Sequence, residues 1–281
     1  MSQPVPFPLT AQSTLPSPGE RASTGIPGLD DILGGGFPCE RLYLVQGDPG
    51  VGKTTLALQY IVAGLGRGEN AALFSFEEGR DIILARAQKM NVDLRTPYEE
   101  GHLIMQQVDP TDLTPGEFAH RVRDAVENQG VKMVVIDSLN GYLYAMPEER
   151  HLILHMHELL TYLNQQGVVT ILVAGQSGFL DSEAKSSSEM SYMADAVFLL
   201  RHFEASGVVR LAISMIKKRS SGHERTIREL FIENEGIQVG PPLTNFRGIL
   251  TGEPEYLGED QRLMSSPKAD DTSNSTQQSG V

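Results

Sequence analysis

The chain has 281 residues, room for one or two domains, and its 40% hydrophobic and 21% charged residues allow a sizeable core. Lys plus Arg number 23 against 36 Asp plus Glu, and the resulting net charge of −13 repels nucleic acid at long range, which argues against a non-specific DNA binder. A single cysteine, Cys39, excludes an internal disulfide; no apolar run is long enough for a bilayer and Met1–Glu20 lacks the pattern of a signal peptide, so a cytoplasmic location without a membrane partner is expected.

Residues 1–21 are rich in Pro, Ser, Gln and Thr, and residues 264–281 in Ser, Thr, Gln and Asp, so both are expected to be disordered tails around one folded unit, 22–263. Within that unit Leu42–Gln46 reads as a short buried strand, Lys53–Leu65 as a helix and Ala71–Phe76 as a second buried strand. Asp81–Met90 reads as a helix with Ile82, Ile83 and Ala87 on its apolar side, and His102–Val108 as a strand. Pro115–Asn128 reads as a helix with Pro in its first turn, and Lys132–Ile136 as a strongly apolar strand. His151–Asn164 keeps Leu152, Met156, Leu159, Leu160 and Leu163 in helical register, and Val168–Ala174 is again strand-like. Alternation of this kind specifies an α/β fold, a mostly parallel sheet with helices on both faces. After Ser191 the pattern changes: Ala196–Arg201, Val208–Lys217, Arg228–Ile232 and Gly236–Val239 read as strands joined by short turns, an antiparallel C-terminal extension of the same sheet.

The strongest chemical signal is GDPGVGKT, running Gly47, Asp48, Pro49, Gly50, Val51, Gly52, Lys53, Thr54, with Thr55 following. It matches the phosphate-binding pattern G-x-x-x-x-G-K-[ST], between a buried strand and a helix as that pattern requires. The glycines let the backbone curl so that successive N–H groups face phosphate oxygens, and the helix start adds a positive dipole end. Lys53 is expected to reach the β- and γ-phosphates of ATP, and the Thr54 hydroxyl to ligate Mg²⁺. Asp137, at the end of VKMVVIDS, is the candidate second Mg²⁺ ligand, although an Asp there also suits a plain turn. Glu77 and Glu78 follow the second strand and thus lie on the same sheet edge. Either carboxylate is a candidate to activate the attacking water, or the pair opens the next helix, where acids suit the dipole. Gln176 and Ser177, just past another strand, are placed to sense a γ-phosphate or simply to start a loop.

These residues give the chain a resemblance to the KaiC family of RecA-like ATPases. Its carriers are STGIPGLDDILGGGFP (Ser23–Pro38), GDPGVGKTT, SFEE (Ser75–Glu78), VVIDSLNG, KKRSSGHERTIREL (Lys217–Leu230) and NFRGILTG (Asn245–Gly252). The resemblance implies a RecA-like domain assembled into a homohexameric ring with slowly hydrolysed ATP between subunits. It implies that Lys217 and Arg219 reach the γ-phosphate of a neighbour's ATP, with His223 at the same interface; by charge alone this segment is equally a basic turn or a nucleic-acid anchor. One such domain stands here where the family's best-known clock protein has two. Ser191 matches a serine phosphorylated in that family, with Tyr192 in place of the adjoining threonine, so autokinase activity at Ser191 is an expectation of the resemblance alone. A KaiB-like protein or a signalling kinase is the implied partner. Two further functions share the motifs: a non-catalytic module whose interactions ATP gates, and a RecA-like DNA-handling ATPase, which the acidity disfavours.

Overall fold

The computed structural model describes residues 21–38, 41–109, 113–145, 152–175, 191–219, 225–233, 236–251 and 254–257. Strand β1 (Arg21–Ala22) pairs antiparallel with β2 (Phe37–Pro38) around helix α1 (Pro27–Leu33), which begins on a proline and stops at Gly34 in the left-handed region. Next come β3 (Leu42–Gly47), α2 (Lys53–Gly66), β4 (Asn70–Ser75), α3 (Arg80–Lys89), the short α4 (Arg95–Glu99) and β5 (Leu103–Gln107). Helix α5 (Pro115–Gln129) opens on a capping box: the Glu117 N–H donates to Thr114 Oγ1 at 3.2 Å and the Thr114 N–H to Glu117 Oε2 at 2.8 Å. Then follow β6 (Val131–Asp137), α6 (Leu139–Ala145), α7 (Leu152–Gln165) and β7 (Val169–Gly175).

The last long elements are β8 (Ala196–Ala205), β9 (Val208–Lys218), β10 (Ile227–Glu233) and β11 (Gly236–Pro242), with β12 (Phe246–Arg247) and β13 (Glu255–Tyr256) as a separate two-stranded pair. Among the described residues, nine strands make the main sheet in the order β11-β10-β9-β8-β3-β7-β6-β4-β5. The six strands from β8 to β5 are parallel, and β9, β10 and β11 add antiparallel beyond β8. The expected α/β architecture with its antiparallel extension is therefore the one observed.

Period-two alternation divides the core. Tyr43, Val45, Leu73, Met133, Val135, Ile171 and Phe198 face the side covered by α1, α2 and α3, while Leu44, Phe74, Val134, Ile136 and Leu172 face α5, α6 and α7. Both faces are dry, so the parallel strands carry near-continuous apolar runs. One expectation on α3 fails. Ile83, Leu84 and Ala87 are buried, but Ile82 is 59% exposed, because it stands roughly 140° round the helix from Ala87. Among the described residues no helix is long and apolar enough to cross a membrane.

Candidate functional site

The carboxyl ends of the parallel strands form one edge, where Gly47 pairs with Gly175 and Ser75 with Asp137. Helix α2 carries the chain from β3 past β7 and β6 to β4, so the loop after β3 opens where the winding changes direction, the usual ligand crevice of such sheets.

That loop is shaped by close approaches. A Cβ on Gly47 would lie 2.3 Å from the Leu200 carbonyl oxygen of β8. Gly52, at φ +90°, caps α2, and a Cβ there would lie 2.2 Å from Ile232 Cδ1 of β10. The antiparallel extension thus packs against the phosphate loop from behind. Gly52→Ala is expected to lower stability by at least ~1–2 kcal/mol through backbone strain alone and to weaken nucleotide binding. Thermal unfolding and a fluorescent-nucleotide titration read the two effects. Val51 is buried in the core and tethers the loop, while Pro49 and Gly50 are exposed and Asp48 is half-buried. Lys53 Nζ donates to the carbonyls of Gly47 at 2.9 Å and Asp48 at 2.8 Å, tying the loop's start to its end.

Behind the loop, Thr54 Oγ1 donates to Asp137 Oδ2 at 2.6 Å, which joins α2 to the end of β6. Burial pushes the Asp137 carboxyl up from its ordinary value, the Thr54 hydrogen bond opposes this, and Glu77 and Glu78 add to it. Burial likewise lowers Lys53, against the pull of Asp137, Asp48 and Glu77. Both groups are held against their charged forms, which an incoming cation beside Asp137 and an incoming anion beside Lys53 would relieve. Thr54 and Asp137 supply hard oxygens at one point, the donor set Mg²⁺ takes beside substrate phosphates, so these residues fit that ion.

The two glutamates part company. Ser138 Oγ donates to Glu77 Oε1 at 2.6 Å, which keeps Glu77 at the Asp137 corner. Glu78 turns instead to an ion pair with Arg86 of α3, and its backbone N–H donates to Ser75 Oγ at 3.1 Å.

A family model described as "ATPase: KaiC" matches residues 22–244. This chain belongs to the KaiC family of ATPases. Two relatives are similar: the circadian clock protein KaiC3 of Synechocystis sp., 28% identical over 86% of this chain and 48% of its own length, and the circadian clock oscillator protein KaiC of Prochlorococcus marinus, 28% identical over 91% of this chain and 51% of its own. The chain spans about half the length of the curated relatives it matches. Among solved structures, a KaiC-like protein of the hyperthermophilic archaeon Pyrococcus horikoshii OT3 is similar at a TM-score of 0.71 and 27% identity, over 80% of this chain and 100% of that one. The fold is accordingly KaiC-like and RecA-like.

Lys217 and Arg219 of this KaiC-family chain lie elsewhere. Lys217 pairs with Val197, and the Arg219 N–H donates to the Asp195 carbonyl at 2.7 Å, level with Leu42 at the start of β3. From Leu42 to the loop at Gly47 is roughly 15 Å along the sheet. Lys217 Nζ donates to the carbonyls of Ser191 at 2.6 Å and Tyr192 at 3.0 Å, and Arg219 also donates to the Tyr192 carbonyl. Cys39, Gln176, Ser177 and His223 lie outside the described residues. Arg86 and Ile232 carried no sequence signal of a role, because each lies outside every motif and meets a motif residue, Glu78 or Gly52, only in the fold. Ser75 and Ser138 stood inside the motifs SFEE and VVIDSLNG, without a sign there of what each would bind.

Proposed function

We propose that this KaiC-family chain binds Mg·ATP at the carboxyl edge of its sheet and hydrolyses it, in a ring of identical subunits that complete one another's sites. The observation that carries the reading is the Thr54–Asp137 hydrogen bond at 2.6 Å, with Lys53 and Glu77 at the same corner. Loop N–H groups and Lys53 hold the phosphates, and the Thr54 hydroxyl and Asp137 carboxylate hold the metal. Mg²⁺ held by those two residues would offset the negative charge that develops on the transferring phosphate. Glu77, oriented by the Ser138 hydroxyl, takes the proton of the attacking water. Glu77→Gln is expected to cut phosphate release about 100-fold or more, with nucleotide affinity within a few-fold. Wild-type turnover in that variant, measured in a coupled phosphate assay, would remove Glu77 from the mechanism.

The ring belongs to the same proposal. Lys217 and Arg219 stand at the end of the sheet remote from their own phosphate loop, so a γ-phosphate they neutralise is a neighbour's. Ser191, whose carbonyl binds Lys217, shares that end of the sheet and is the proposed phosphoacceptor. Incubation with Mg·ATP and mass spectrometry of the Ser191 peptide tests it; an unmodified peptide at full turnover removes the autokinase activity. A timing or signalling role, with hydrolysis as the timer, is the proposed use of the cycle.

A further inference from the structure

Two adjacent carboxylates at one catalytic corner pose an electrostatic problem. Glu77, Glu78 and Asp137 are near enough that both glutamates act on Asp137, while Lys53 is the cation drawn toward Asp137 and Glu77. A second free glutamate would compete for Lys53 and for the ion that Asp137 is built to hold. Helix α3 supplies an answer. Its Arg86 projects back to the turn after β4 and forms the ion pair with Glu78 Oε1. Glu78 Oε2 is shielded from solvent and takes no hydrogen bond among the described residues, so Arg86 is the compensation this carboxylate has there. The Ser75 hydroxyl, accepting from the Glu78 N–H, fixes the turn from which Glu78 departs.

Building on the proposed ATPase, we propose that Arg86 is a positioning residue that withholds Glu78 from the nucleotide corner and leaves Glu77 as the single carboxylate facing the water. Arg86 touches no reacting atom. Its effect passes through Glu78, and a merely structural helix residue would lack that dependence. Loss of Arg86 leaves a half-buried carboxylate unpaired, which then swings toward Lys53 and the metal position and slows the step after binding.

The test is a double-mutant cycle on the full-length chain, with steady-state ATP hydrolysis and thermal unfolding followed together. Arg86→Gln is expected to lower kcat about tenfold with KM within about twofold, and Arg86→Lys, which keeps the cation, to retain most of it. Glu78→Gln is expected to stay near wild type, and Arg86→Gln is expected to cost nothing further in the Glu78→Gln background. An Arg86→Gln penalty of the same size with and without Glu78 overturns the proposal, as does an Arg86→Lys chain as slow as Arg86→Gln. Should Arg86→Gln alone fail to fold, the comparison of Glu78→Gln with the double variant still decides, since neither holds the Glu78 carboxylate and any further loss in the double variant overturns the proposal. A wild-type chain that releases no phosphate overturns both this inference and the ATPase reading. An active wild type with an additive cycle overturns this inference alone.

Discussion

Neither a Lys53→Ala chain nor an Arg219→Ala chain is expected to hydrolyse ATP, yet an equal mixture of the two should regain up to about a quarter of wild-type turnover. Lys53 Nζ lies 2.9 Å and 2.8 Å from the carbonyls at the start of the loop after β3, so the ammonium is held at the mouth of the loop proposed to take phosphate. Hydrogen bonds to charged groups contribute about 1.5–3 kcal/mol each, so losing the two that Lys53 is proposed to make to the β- and γ-phosphates corresponds to a fall in affinity on the order of 100-fold or more. Arg219 lies at the other end of the sheet, and a cation supplied in trans to a γ-phosphate is typically worth about 10³-fold in rate. In a ring mixed at random, one interface in about four joins an intact phosphate loop to an intact Arg219, hence the expected ceiling. The measurement is phosphate release after mixing subunits in Mg·ATP, with ring size followed by light scattering. Mixed rings that form and stay inactive would exclude a trans role for Arg219.

Legibility in the sequence tracked range. The parallel strands were readable because burial on both faces makes them continuous apolar runs, as in Val131–Asp137 and Val169–Gly175. The phosphate loop was readable because its residues are neighbours in the chain and fixed in spacing by the backbone they must form. Helices α1, α4 and α6 went unread. Each has seven residues or fewer, too short for a helical period to stand out, and α1 and α6 contain Gly28 and Gly141. Gly141 is required by packing, since a Cβ there would lie 2.4 Å from Phe76 Cβ, a contact between distant segments. The different partners of Glu77 and Glu78 were hidden for the same reason. Adjacent in sequence, they are separated by Ser138 on one side and Arg86 on the other, partners that only the folded sheet brings to them.

Asp137→Asn is expected to abolish Mg²⁺-dependent turnover while making the nucleotide-free protein more stable. The carboxyl is largely withdrawn from water and stands near Glu77 and Glu78, so its folded-state pKa lies above the unfolded value of 3.8. A raised acid pKa means that the folded state binds its proton more tightly than the unfolded state. Stability therefore falls as pH rises through the two values, and the full cost is present at neutral pH. Asparagine removes that cost, keeps the shape, and still offers an oxygen to the Thr54 hydroxyl. The gain should appear as a higher Tm at pH 7, and it should shrink to nothing as pH drops below the unfolded value. The same substitution takes away the anionic oxygen that a hard divalent cation requires, so turnover should fall about 100-fold or more. Calorimetry of both proteins across pH, with phosphate release in parallel, separates the two effects. An Asp137→Asn chain less stable than wild type at pH 7 would mean that Asp137 is held in place for the fold rather than kept, at a cost to the fold, for its metal.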